Sequence, residues 1–295
     1  MLDLESLRCF QAAALRLNFR AASRAVGLSP AAFSDRIQRL EDELGARLFI
    51  RSTRRVVLSP DGERLLPQAQ KVLSEASRCW TLVGTGEPTP FELTIGTRWE
   101  LGMSWVLPAI DVLEAQNPER RLNLAFGNGT PLLERLRRGQ IDAVIGSMRI
   151  TGNKLAYVPL HEEQYRFVAT PETLKKHPLK SATDAQHHTL VDISDGFVLF
   201  RYWLDQAPSA NQWVFGKQRF LGTIGAIYHW VIHHDGVAVL PAYYVEPDLK
   251  SGRLVEILDD VCPAKDWFRL VWVNGHPRDA ELRELGSQLT QLPLC

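Results

Sequence analysis

The residues best equipped to do chemistry in this chain are arginines. Nine of them lie from Arg16 to Arg55 against four acids (Asp35, Glu41, Asp42, Glu43), and no lysine precedes Lys71. A guanidinium is a planar fork of donors that matches phosphate oxygens and the edge of guanine, so the chemistry on offer is recognition of a polyanion. The chain as a whole is neutral, with 34 basic and 34 acidic side chains among 295 residues. The positive charge is therefore concentrated in one segment. A solvated helix face carries similar charge, so the elements that present these arginines decide the matter.

Leu4, Leu7, Phe10, Ala14 and Leu17 recur at helical intervals, and Asn18 is placed to end that helix and cap a second over 20–26. Gly27-Leu28 is a short turn, and Ser29-Pro30 is a capping residue followed by a first-turn proline. Phe33, Ile37, Leu40 and Leu44 give the third helix an apolar face that Gly45 ends. Short apolar runs at 48–50 and 56–58 flank the polar loop 51–55, predicting a hairpin with an arginine-rich tip. A helix, a tight turn and a capped helix followed by a hairpin make a winged helix-turn-helix, whose third helix fits the major groove. On that helix Ala32, Phe33, Ile37 and Leu40 read as inward, and Pro30, Ala31, Ser34, Asp35 and Arg36 as outward. Ser34 and Arg36 suit bases or phosphates, and Pro30 and Ala31 suit a thymine methyl. Arg20, Ser29 and Arg39 complete the helical contact set; Arg51, Thr53, Arg54 and Arg55 form the wing's grip on the backbone or minor groove. A plain three-helix bundle is the alternative for this stretch.

Ser59-Pro60 repeats the cap-plus-proline start. Leu66, Ala69, Leu73, Ala76, Trp80 and Val83 then alternate spacings of three and four, an a/d seam suited to a helical partner, with a bend expected at Pro67. The glycines and prolines of 84–90 break the chain. Beyond them strands are expected at 91–97, 121–126 and 143–147, with helices at 105–116 and 132–138, a βαβαβ pattern implying a parallel sheet. Further strands are expected at 165–169, 189–193, 212–215, 236–240 and 267–273. In such sheets ligands sit at the carboxyl ends of strands, which nominates Thr97, Arg98, Trp99 and Glu100, then Asn128, Gly129 and Thr130, then Ser147 through Arg149.

The spaced residues Phe19, Ala22, Gly27-Leu28-Ser29-Pro30, Ser34, Ile37, Leu40-Glu41, Leu44-Gly45, Leu48-Phe49, Arg51, Arg54, Leu58-Ser59 and Gly62 closely resemble the DNA-binding domain of LysR-type transcriptional regulators. The resemblance continues through Ile95-Gly96-Thr97, Leu107-Pro108, Asn117-Pro118, Gly139 to Val144, and Gly236 to Pro241, covering nearly the whole chain. It implies an all-α winged helix-turn-helix domain (1–59), a linker and dimerisation helix (60–90), and an α/β two-lobed effector domain resembling a periplasmic binding protein (91–295). Lobe I would comprise 91–162 and 267–295, and lobe II 163–266, with crossing strands near 162–168 and 266–270. Phe197 and Thr223 join the effector set on this basis. The implied partners are double-stranded promoter DNA, a small-molecule effector of unknown identity, and copies of the chain in a homodimer and usually a homotetramer; RNA polymerase is a further candidate at the promoter.

Arg98 and Glu100 stand where the family usually has small hydroxyl residues, Gly129 replaces a common serine, and His234 replaces a usual glycine. An acid and a base at one mouth can clamp a zwitterion or pair with each other. Trp99 and Trp105 can stack on an aromatic ligand or fill the core. His229, His233 and His234 lack an evident third ligand, so no metal and no cofactor beyond the effector are expected. His187 and His188 read as solvated loop residues. The four scattered cysteines, with no export signal and no apolar run of membrane length, point to a cytoplasmic protein. Neither GxSxG, HExxH, P-loop nor GxGxxG occurs, which argues against an enzyme, and the basic head argues against a plain solute-binding protein.

Overall fold

The computed structural model describes residues 3–51, 56–83, 90–148, 150, 153–207 and 212–294. Three short helices open the chain, each started by a side chain that accepts an otherwise orphaned backbone N–H. Asp3 caps α1 (Leu4–Arg16) from the N–H of Ser6 at 2.8 Å, Asn18 caps α2 (Phe19–Ala25) from Ala21 at 3.0 Å, and Ser29 caps α3 (Pro30–Leu44) from Ala32 at 3.2 Å. Gly45 ends α3 at φ +64°, a left-handed conformation that costs glycine nothing. β1 (Phe49–Arg51) and β2 (Val56–Leu58) pair antiparallel, with Phe49 opposite Leu58. Phe10, Phe33, Ile37, Leu40, Leu48 and Leu66 are the buried centre of this head.

α4 (Pro60–Val83) runs unbroken through Pro67, where the sequence predicts a bend. Leu66 and Ala69, on either side of the proline, are each 1% exposed in the head's core, and that packing carries the helix past the one lost backbone bond. The same burial corrects the seam: Leu66 and Ala69 are spent on the head's own core and are not offered to a partner helix. Trp80 and Val83 fall outside the described side chains, and Gly84 to Thr89 outside the described residues.

β3 (Phe91–Thr97) opens a five-stranded sheet. A helical rod follows, made of α5 (Trp99–Leu101), a π-helical turn at Gly102–Val106 and α6 (Leu107–Gln116), so helix begins six residues before the predicted 105. β4 (Arg120–Phe126), α7 (Gly129–Arg137) and β5 (Ala143–Gly146) complete the parallel portion, with β3 hydrogen-bonded to both β4 and β5. β6 (Leu155–Glu163), absent from the sequence expectation, is the opposite edge of the sheet, whose order is β4-β3-β5-β12-β6. An edge strand tolerates Pro159, which cannot donate to a ladder.

After Gln164 the chain enters lobe II. β7 (Tyr165–Ala169), α8 (Pro171–Lys176), a 3-10 turn at Ala182–His187, β8 (Thr189–Asp192) and α9 (Phe200–Leu204) come first. β9 (Lys217–Phe220), α10 (Ile224–His233), β10 (Ala238–Pro241), α11 (Ala242–Ser251) and β11 (Val255–Glu256) follow. The strand expected at 212–215 is instead β9 at 217–220; Phe215 is buried from an irregular segment. β7 is flanked antiparallel by β10 and β11, β8 pairs parallel with β9, and Leu190 bridges to Val237. β12 (Asp266–Val273) returns between β5 and β6, and α12 (Asp279–Gln291) closes lobe I.

Candidate functional site

The exposed face of α3 carries Pro30, Ala31, Ala32, Asp35, Gln38 and Arg39. Ala32 is therefore outward, not inward as its sequence position suggests, because the apolar stripe of Phe33, Ile37 and Leu40 is narrow. Gln38, three residues from Asp35 and seven from Ala31, shares this exposed face, as its helical spacing requires. Ser34 and Arg36 are half-buried at the edge of this face, and Arg36 is held 3.3 Å from the Asp3 carboxylate. Arg39 pairs with Asp35 at 2.8 Å with both side chains mostly in water, a pairing cheap to exchange for a phosphate. Arg20 and Ser29 are exposed beside them.

Glu41 organises the base of the hairpin. Its carboxylate, 1% exposed, accepts the backbone N–H groups of Leu48 at 2.7 Å and Phe49 at 3.2 Å. The same carboxylate holds Arg47 at 3.0 Å and Arg51 at 3.5 Å. Arg51 also lies 4.4 Å over the Phe19 ring, so it fixes the wing's root as well as adding charge. Thr53, Arg54 and Arg55 lie outside the described residues.

Between the lobes is a cavity of about 330 Å³. It brings together Arg98, Glu100, Asn128, Gly129, Ser147 and Thr223 of the predicted set, and adds Tyr165, Met148, Val198, Leu199, Tyr202 and Ile224. Four predicted residues are not in its wall. Thr97 is fully buried, and Thr130 is exposed in the first turn of α7. Trp99 is 53% exposed and stacks on Phe126 at 4.3 Å. Phe197 sits edge-on to Phe220 at 5.8 Å. Trp105 is core, 3% exposed. Arg149 is outside the described residues.

The two charges at the cleft neither pair with each other nor stand free. Arg98 is hydrogen-bonded to Glu163 at the end of β6, whose side chain is 0% exposed, and donates to the Tyr243 hydroxyl at 3.3 Å. Burial works against the guanidinium's charge, but the carboxylate of Glu163 more than offsets it and holds the Arg98 pKa above its ordinary value. Glu100 accepts the backbone N–H of Gly225 at 2.7 Å, in the first turn of α10, where a carboxylate complements the helix dipole. The remaining wall is mostly apolar, with Tyr165 and Tyr202 stacked at 3.9 Å. Tyr202 donates to Asp266 at 3.1 Å.

α7 links this cleft to the head. Asn128 and Gly129 at its start line the cavity. Past its end, the carbonyl of Gly139 accepts from Gln70 of α4 at 3.1 Å, and Arg138 lies 3.6 Å from Glu63 of α4. Gly139 has φ +64°, and a Cβ there would stand 2.6 Å from the Gln70 amide, so glycine permits this contact twice over.

His234 ends α10 in an extended conformation and stacks on Trp230 at 4.2 Å, so this helix terminus needs no glycine. His229 and His233 approach ring to ring at 4.4 Å, and among the described residues no group of three or more His, Cys, Asp or Glu is arranged to hold a metal ion. No described helix is long and apolar enough to cross a membrane.

Residues 4–63 match the family model for the bacterial regulatory helix-turn-helix protein, lysR family, and residues 88–292 match the LysR substrate binding domain. A probable hydrogen peroxide-inducible genes activator of Mycobacterium avium is 31% identical over 300 residues, covering 98% of this chain and 94% of the relative. The HTH-type transcriptional regulator AbaB of Streptomyces antibioticus is 28% identical over 93% of both chains. A full-length OxyR variant from Pseudomonas aeruginosa has the same fold, with TM-score 0.78 at 23% identity over 100% of this chain and 97% of that one. So does full-length LysG from Corynebacterium glutamicum, solved with bound effector Arg, at TM-score 0.70 and 19% identity over 98% of both chains. The chain thus belongs to the LysR family: it is a transcriptional regulator that binds DNA through its helix-turn-helix head and carries a small-molecule-binding domain behind it.

Proposed function

We propose that this regulator responds to a small, predominantly apolar effector with a hydrogen-bonding head and no net charge. The observation that carries the reading is the internal compensation of Arg98 by Glu163 and of Glu100 by the start of α10. A zwitterion clamp would need both charges free. The cavity volume of about 330 Å³ suits a single-ring or short-chain compound, held by apolar walls and the Tyr165–Tyr202 stack. Asn128, Ser147 and Thr223 supply its polar contacts. The described cysteines are elsewhere, Cys9 in the head, Cys79 on α4 and Cys262 ahead of β12, so the signal read in the cleft is binding rather than thiol chemistry.

In this reading the chain works in the cytoplasm as a homodimer or homotetramer on promoter DNA, with RNA polymerase as neighbour and no cofactor besides the effector. Ligand shifts the population of two arrangements of head and lobe by binding one more tightly, and α7 carries the difference to α4. Thermal unfolding of the full chain against a matched panel tests the ligand class. Neutral aromatic amides or alcohols are expected to raise Tm, and a ligand at about a hundred times its Kd adds about 2.7 kcal/mol. Stabilisation by amino acids alone would refute the class.

Gln38, Asp35 and Ala31 present the base-reading face of α3, with Arg39, Arg20 and the wing on phosphates. Gln38→Ala is expected to relax preference at an adenine by about 1–3 kcal/mol while leaving affinity for random DNA unchanged. Equal loss on specific and random sites, measured by competition binding, would remove Gln38 from this role.

A further inference from the structure

Lobe II holds a second cavity, of about 260 Å³, at the far end of its strands from the effector cleft. β8 and β9 begin at this cavity with Thr189 and Lys217, and the residues just past their other ends, Ile193 and Gly222, line the cleft. α10 starts at the cleft, where its cap Thr223 and first residue Ile224 line the wall, and Asp235, just past its end, lines this cavity.

The charged and titratable groups facing the cavity are Lys176, His177, His187, His188, Lys217 and Asp235, with Asp184 close to His188. The carboxylate of Asp235 is occupied: both its oxygens accept from Lys176 at 2.8 Å. Asp184 accepts the backbone N–H groups of Lys180 and Ser181 and lies close enough to His187 to interact with its charge. Lys217 has no ion pair among the described residues. His188, expected as a solvated loop residue, is 3% exposed, bonds the carbonyl of Pro178, and leaves Nε2 buried without a partner. The ring of His177 lies 5.6 Å from that of His187 and 6.3 Å from that of His188. Lys176 and His177 complement the carbonyl end of α8, as basic residues often do. That accounts neither for Lys217, which begins a strand, nor for the unpartnered nitrogen of His188.

We propose that this cavity is a second ligand site, for a small dianion, held by Lys217, His177, His187 and His188. Protonated at Nε2, His188 gains the partner it lacks, and the compact volume excludes larger ligands. Burial holds the His188 pKa below the ordinary histidine value, so a bound anion is what would bring the proton there. The shared β8, β9 and α10 give an occupant a mechanical route to the effector cleft.

The test is a titration of the full chain, isotope-labelled at histidine, with sulfate, whose charge is constant across the range, and separately with succinate. Saturable shifts of the imidazole signals are expected at about pH 6, weakening about tenfold or more by about pH 8, because binding carries a proton onto His188. The exposed substitutions Lys217→Gln and His187→Gln are expected to weaken binding severalfold without touching the core. Tighter binding of sulfate supports an oxyanion ligand, and of succinate a dicarboxylate. Equal shifts with chloride at matched ionic strength, wild-type affinity in both variants, or saturable binding of zinc in place of either anion would overturn the proposal.

Discussion

Glu163→Ala is expected to destabilise the effector domain by about 3–5 kcal/mol, because it strands the mostly buried Arg98 guanidinium at the cleft wall without its counter-charge. Arg98 has nowhere better to turn: its Nε already lacks a partner, and its neighbours are the Tyr243 hydroxyl and the rings of Tyr243 and Phe268. Chemical denaturation of the full chain followed by tryptophan fluorescence reads the loss, since the effector domain holds most of the tryptophans. Removing both partners, as Arg98→Met with Glu163→Leu, is expected to recover most of the stability, because a buried ion pair and a well-packed apolar pair are often equivalent. A single-variant loss under about 1 kcal/mol would mean that Arg98 finds solvent and that its charge is available to a ligand.

The second large effect is expected in the head. Glu41→Ala deprives the backbone N–H groups of Leu48 and Phe49 of their shared acceptor and releases Arg47 and Arg51. Leaving the two buried donors unmade costs about 1–3 kcal/mol each, so a loss of about 2–6 kcal/mol follows. The wing's root would also lose its anchor, so DNA affinity is expected to fall and its salt dependence to flatten. Hydrogen exchange at Leu48 and Phe49 measures the first consequence and binding at several salt concentrations the second. Glu41→Gln keeps an oxygen for the N–H groups and is expected to be milder. Unchanged exchange in Glu41→Ala would refute the anchoring role.

What the sequence discloses and what it hides follow from distance along the chain. The head is legible because its signals are local: Asn18, Ser29 and Gly45 act within a few residues of where they stand. The alternation of strands and helices in lobe I is legible for the same reason. The partners of Arg98 and Glu100 are not, since Glu163 is 65 residues from one and Gly225 is 125 from the other. Only the folded sheet, with β6 paired to β12, brings Glu163 under the cleft. β6 escapes notice because an edge strand with Pro159 and His161 shows little alternation. β9 escapes because all four of its residues are exposed, while nearby Trp213 and Phe215 supply the apolar pattern from irregular backbone. Glu41 hides differently, as an acid inside a basic segment that composition counts merely as one negative charge.

A ligand in the interlobe cleft that alters DNA binding by the head must itself bind differently when operator is present, so reciprocal linkage is the decisive measurement. Footprinting the purified full chain supplies its operator, and the stabilising compound from the neutral panel supplies the ligand. Operator affinity is then measured with and without ligand, and ligand affinity with and without operator. The same factor is expected in both directions, about 5–150-fold, as coupling of two sites requires. Ligand binding in the cleft that leaves operator affinity unchanged would contradict it.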